Sequence, residues 1–257
     1  MFLLAEPHFA MTLPLLYGYK ENFFNKPVNY IAIPVLIIIF GSLLFFNANG
    51  LFMIIFLLAN VYHVNRQSVG FFMVQGGLPF SMKSTYEVSL HIFTLLCLYV
   101  AIVEQEQSIS IGLILFVAIS IVMISLFKLK IGRLPSLKEA SVILQGYLIF
   151  LPVAIFSDIL LAFAIGVSIH YLQYLSLSWR VCKIGFAFSM KYIVLLIVFY
   201  SVFSTAALSG FVTLERISVF ILIPTLMQLL HFYYDSLIWR RKGNDQLVSR
   251  ILGKALS

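Results

Sequence analysis

The chain has 257 residues, of which 61% are hydrophobic and only 11% charged, whereas soluble domains carry about a quarter charged residues. Such a composition excludes an ordinary soluble domain, and it makes the net charge of +7 a guide to membrane orientation rather than a sign of a nucleic-acid partner, of which none is expected. Several apolar stretches approach the ~20 residues that cross about 30 Å of hydrocarbon as a helix, and the alternation of a β-barrel is absent, so the predicted fold is all-α, a polytopic membrane helix bundle.

In chain order, residues 1–29 come first. MFLLAEPHFAM lacks the basic start of a secretory signal and is interrupted by Glu6 and His8, so no removable leader is expected. With Pro7 and Pro14 the segment is too broken to span yet too apolar for a free tail, and it is predicted to lie along, or dip into, the cytoplasmic interface. About eight spans follow within 30–239, at roughly 30–46, 50–65, 87–104, 108–128, 138–156, 158–179, 188–209 and 216–239. The second is short and contains Asn60 and His63; the fifth and sixth are separated only by Ser157 and Asp158; Pro152 and Pro224 are positions for kinks. Residues 240–257 form a short basic tail.

Charge tests the count. When alternate loops are assigned to one side, that side collects every one of the 17 Lys and Arg residues except Arg216. The positive-inside rule then puts both termini in the cytoplasm, and a bacterial inner membrane is the expected location. The opposite loops, NAN, EQEQ and SD, are short and neutral or acidic. Of the two cysteines, Cys97 falls in an apolar segment and Cys182 beside basic residues, a spacing that suits neither a disulfide nor a thiolate metal site.

Orientation gives each of the five histidines a depth. His8, His63, His91, His170 and His231 all fall on or toward the cytoplasmic side. Their neighbours are polar: VYHVNRQ places Arg66 and Gln67 within a turn of His63, IHYLQY places Gln173 and Tyr174 one turn from His170, and MQLLHFYYD places Gln228 and Asp235 around His231. Residues three and four apart share a helix face, so these form inward-facing polar stripes, and ionisable groups inside a membrane suggest a functional site. A single membrane histidine more often serves packing; the one-sided cluster is what favours a shared role. His91, in SLHIFTLL, has no nearby polar partner and is the weakest member.

Neutral imidazoles suit iron or zinc, with neighbouring Gln, Tyr or Asp groups orienting the rings. The expected metal ligands are His8, His63, His170 and His231, with Gln173 and Tyr174 beside them and Asp235 either a ligand or the group that fixes the His231 tautomer. HExxH, GxSxG, P-loop and CxxC signatures are all absent, as are the histidine boxes of membrane desaturases and the paired histidines of helical b-type cytochromes.

At EPHFAMT, HVNRQSVGFF, HYLQYLSLSW and HFYYDSLIWR the chain resembles a loose group of bacterial polytopic proteins with isolated histidine motifs. More distantly it is similar to the Brp/Blh type of membrane β-carotene dioxygenase, all-helical proteins that hold one non-haem iron with histidines from several helices. The resemblance implies that His8, in a Pro-His motif, is a ligand. A family helix carrying two histidines four apart is matched only by His170 followed by Tyr174, so one ligand is missing, and iron is implied more firmly than carotene.

The leading expectation is a non-haem iron oxygenase acting on an apolar small molecule, a polyene or lipid. A proton- or cation-coupled transporter using the His and Asp groups as a relay is the alternative, and a non-catalytic subunit that binds partner helices is a third. Substrate, oligomeric state and metal number are left open by the sequence.

Overall fold

The computed structural model describes residues 8–9, 11–12, 15–16, 24–74, 79–103, 108–156, 158–185 and 217–238, together with Val194, Leu195, Val198 and Val202. Its elements are a π-helical turn Val28–Ala32 leading into α1 (Ile33–Asn47), α2 (Asn49–Val74), a 3-10 turn Phe80–Met82 leading into α3 (Lys83–Val103), α4 (Ser108–Ile131), α5 (Leu137–Leu148), α6 (Leu151–Ile155), α7 (Ile159–Gly185) and α8 (Ile217–Ile238). Among the described residues there is no strand, as an all-α reading requires. Val28–Asn47, Phe80–Val103, Ser110–Ile131 and Leu161–Trp179 are each long and apolar enough to cross a membrane. The outward side chains suit lipid: Leu36, Ile39, Phe40, Leu43 and Phe46 on α1 are all about half exposed or more, a patch that a water-facing surface rarely carries.

Element boundaries differ from the hydropathy reading in two places, and each has a physical cause. The helix at 50–65 runs on to Val74, because its polar residues are satisfied inside protein: Asn65 donates to Thr94 Oγ1 (3.2 Å) and Ser68 to the Val64 carbonyl (2.8 Å). The segment at 138–156 is two helices, α5 and α6. Pro152 has no N–H to give to the preceding turn, and the chain turns at Ile149 and Phe150, whose N–H reaches only to Tyr147 O (3.2 Å). Helix α8 continues through Pro224. The expected span at 188–209 and the basic tail at 240–257 lie outside the described residues.

The chain divides into two compact units, Val61–Gln173 and Phe2–Asn60 with Tyr174–Ser257. In the first, α3, α4, α5 and α6 pack together around a large apolar core that includes Phe72, Tyr86, Leu90, Phe93, Phe127 and Ile143. Close approach rests on glycine: a side chain on Gly146 would collide with the Tyr86 hydroxyl, and one on Gly166 with the Ile149 carbonyl oxygen, as expected where small residues let membrane helices touch. The Tyr86 hydroxyl donates to Ile143 O (2.9 Å), and Ser89 and Tyr147 share a hydrogen bond of 2.7 Å.

The connection after α4 is firmly built. Gly132, at φ +80°, ends the helix in the left-handed region that glycine enters without strain. Ser136 and Glu139 then form a reciprocal capping box on α5, and Arg133 grips the Glu139 carboxylate with two bonds of 2.8 Å. Those bonds to Glu139 hold the Arg133 guanidinium above its usual pKa. Asp158 caps α7 through the Leu161 N–H (3.0 Å).

The second unit has a smaller apolar cluster, in which Phe45 and Phe52 meet Leu222 and Leu226 where α8 packs on α1. The π-turn carbonyls are met from α8: Tyr233 donates to Asn29 O (2.9 Å) and Tyr234 to Tyr30 O (3.0 Å).

Candidate metal centre

Each unit buries a pair of histidines. In the first, His63 on α2 and His170 on α7 are 8% and 2% exposed, and their rings meet edge to face with centroids 5.7 Å apart. The His63 and Gln67 side chains of the same helix are hydrogen-bonded, as i and i+4 neighbours sharing a face can be. The buried face of α7 repeats at helical spacing through His170, Gln173, Tyr174, Leu177 and Ser178. Gln173 Nε2 donates to Gln145 Oε1 on α5 (3.3 Å).

In the second unit His8 is fully buried and stands edge to face with His231, centroids 4.5 Å apart, and with Tyr174, 4.2 Å apart. A ring nitrogen of His8 and one of His231 lie within 4.8 Å of each other, close enough for two ligands of one ion at about 2.1 Å each if both shift slightly. His231 and Asp235, one turn apart on α8, are 2% and 3% exposed, and His231 Nε2 lies 3.8 Å from Asp235 Oδ2. Thr12 Oγ1 and His231 Nδ1 are hydrogen-bonded at 2.5 Å. The Tyr174 hydroxyl donates to Asp235 Oδ1 at 2.7 Å and lies 3.4 Å from Thr12 Oγ1.

The remaining polar residues sort themselves by what they touch. His91 bonds the Glu87 carbonyl of its own helix (2.7 Å) beside the Tyr62 ring, an ordinary helix-surface arrangement. Arg66 is exposed, lies 3.7 Å from Glu87 and donates to Tyr62 (3.0 Å). Trp239 and the three basic residues after it lie outside the described residues.

Thr12 is the residue that sequence reasoning missed. A single threonine in the apolar run FAMTLPLL carries no spacing signal, and only the fold sets it against His231. The site's chemistry is that of a buried donor set, two imidazoles with a carboxyl group, which fits a divalent first-row metal ion. It is held by hydroxyl groups that fix orientation, the arrangement that outer partners of metal ligands provide. No family model matches the chain, and neither a curated protein nor a solved structure matches it.

Proposed function

We propose that this is a multi-pass membrane protein that binds a transition metal, non-haem iron foremost, through its buried histidines, His8 and His231 in one unit and His63 and His170 in the other, and that it oxidises an apolar substrate such as a polyene or lipid with oxygen. The observation that carries the reading is the burial of all four imidazoles, none more than 8% exposed, in a protein whose outer surface is itself apolar. Intramembrane ionisable groups are costly enough that a cluster of them calls for a use.

Bound there, iron supplies the activation of oxygen; the chain's own residues do the rest. Thr12 and Tyr174 hold His231 and Asp235 in fixed orientations, Gln173 and Gln145 fix the polar face of α7, and the surrounding Phe and Tyr rings exclude water and present apolar walls to a long substrate. The resemblance of EPHF to a carotene dioxygenase motif supports iron more than any one substrate, HYLQY departing from the family's paired histidines, and a polyene is the first class to try. On this reading the site lies in the cytoplasmic half of a bacterial inner membrane. The test is oxygen uptake by iron-loaded protein in detergent with a carotenoid: uptake that requires both iron and the polyene, and that His170→Ala abolishes, is expected. Iron-independent uptake, or none with a panel of polyenes and unsaturated lipids, counts against an oxygenase.

A second reading has its own observation. The hydrogen-bonded series from His231 through Thr12 and Tyr174 to Asp235 is also what a proton relay needs. Proton-driven uptake in vesicles that survives rigorous chelation would favour transport.

A further inference from the structure

The hydrogen bonds around His231 run in one direction. An ionised carboxylate only accepts, so at 2.7 Å the Tyr174 hydroxyl donates to Asp235 Oδ1. The Tyr174 oxygen is then left to accept, and Thr12, 3.4 Å away, is placed to donate to it. If Thr12 donates there, its oxygen is left to accept across the 2.5 Å contact with His231 Nδ1, and this direction assigns the ring proton to Nδ1. The Ser178 hydroxyl also bonds the Tyr174 oxygen, and the series ends on the negative charge. The consequence lies on the far side of the ring. With its proton on Nδ1, His231 turns the lone pair of Nε2 toward Asp235, and the carboxylate oxygen not engaged by Tyr174, Oδ2, is 3.8 Å from it.

A carboxylate that merely orients a ligating histidine accepts from the ring N–H at about 2.8 Å. Here that position at Nδ1 belongs to Thr12, and Asp235 stands beside the opposite nitrogen at a distance too long for a hydrogen bond. The separation lies instead within the span open to two ligands of one ion: at about 2.1 Å from the metal, neighbouring donors sit roughly 3.0–3.4 Å apart and opposed ones about 4.2 Å, so a shift of about 0.4 Å brings the pair to a ligand spacing. His8 brings a second imidazole to within 4.8 Å of the first.

We infer that Asp235 is itself a metal ligand, binding through Oδ2 next to His231 Nε2, and that with His8 it gives the second unit a two-histidine, one-carboxylate set whose tautomer and carboxylate are aimed by Thr12 and Tyr174. The inference rests on the metal-binding reading proposed above and alters its ligand set. Such a set prefers a divalent ion of the iron, cobalt or zinc kind over copper(I), which softer ligands select. Thr12 and Tyr174 are positioning residues.

Cobalt(II) is the probe, titrated into full-length protein purified in detergent without chelator, with folding followed by gel filtration and thermal unfolding. Asp235→Asn keeps an oxygen for Tyr174 to donate to and should weaken cobalt binding by more than about 100-fold, beyond the 10–100-fold expected of an orienting partner. Asp235→Cys should add a thiolate-to-cobalt charge-transfer band that wild type, with Cys97 and Cys182 both present, does not show. Thr12→Val should weaken binding by about 10–100-fold while leaving the ligand-field spectrum unchanged. Wild-type affinity in Asp235→Asn, or cobalt bound to Asp235→Cys with the wild-type spectrum, overturns the carboxylate ligand and leaves imidazole binding intact. Should Asp235→Cys fail to fold, the Asp235→Asn affinity decides alone. Folded wild-type protein that binds neither cobalt nor iron overturns both.

Discussion

The two units of this protein bury polar groups in opposite ways. Between Val61 and Gln173 most buried polar side chains answer to backbone or to a structural partner: Tyr86 to Ile143 O, Thr94 to Leu90 O, Ser68 to Val64 O, and Asn65 to Thr94. They stand beside a broad apolar core. In the second unit the apolar cluster among the described residues is small, and Thr12, Tyr174, His231 and Asp235 bond to one another. Groups of the first kind hold helices together; a side-chain network of the second kind fixes a shape for some other purpose. On the metal-binding reading, the difference separates a largely structural unit, in which His63 and His170 are the exceptions, from one whose buried polar groups are organised around His231.

The largest effects should come from the scaffold's closest contact. In Gly166→Ala the new methyl meets the Ile149 carbonyl oxygen, a backbone atom that cannot swing aside, so a loss of about 3 kcal/mol is expected, read as a lower thermal midpoint in detergent. An unchanged midpoint would show that α7 does not approach this turn so closely.

One substitution made in both units sharpens the contrast. Tyr86→Phe removes the donor to Ile143 O and should cost roughly 1 kcal/mol of stability with metal content unchanged. Tyr174→Phe should do the reverse in emphasis, weakening metal retention about tenfold or more by releasing Asp235. If both variants lose stability alike and neither affects metal, the division into scaffold and site fails.

Smaller still is the clamp on α5. Glu139→Gln keeps the cap but gives up charge in a bidentate pair whose arginine is 54% exposed, so about 0.5–1 kcal/mol is expected, and high salt should narrow the gap between wild type and variant. Thr85→Ala, which removes the 2.6 Å partner of exposed Lys130, should change stability by less than about 0.5 kcal/mol; a larger loss would mean that this contact anchors α3 to α4.

Much of the fold was legible because hydropathy and length are nearly sufficient for membrane helices. The long apolar segments at 30–46, 87–104, 108–128 and 158–179 coincide with helices. Hydropathy cut α2 short because it scores Asn65, Arg66 and Gln67 as belonging to water, whereas Asn65 is satisfied by Thr94 within protein. Pro152 was visible as a kink, but its outcome, a full break into α5 and α6, depends on the tight turn at Ile149 and Phe150.

The site was legible only in part. His231 and Asp235 share a face by their spacing alone, and His170 with Gln173 likewise. What spacing cannot supply is a contact between residues more than two hundred positions apart, such as Thr12 with His231, or the side of a ring on which a carboxylate falls. That is why sequence left Asp235 between two roles.

The most direct test of the central claim is the metal content of detergent-purified protein by plasma mass spectrometry, wild type beside a His8→Ala/His231→Ala double variant that elutes and unfolds like a folded protein. Near-stoichiometric iron in the wild type, lost in the double variant, is the predicted result. Wild-type protein that is folded, never exposed to chelator and free of any transition metal even after iron is offered would contradict it.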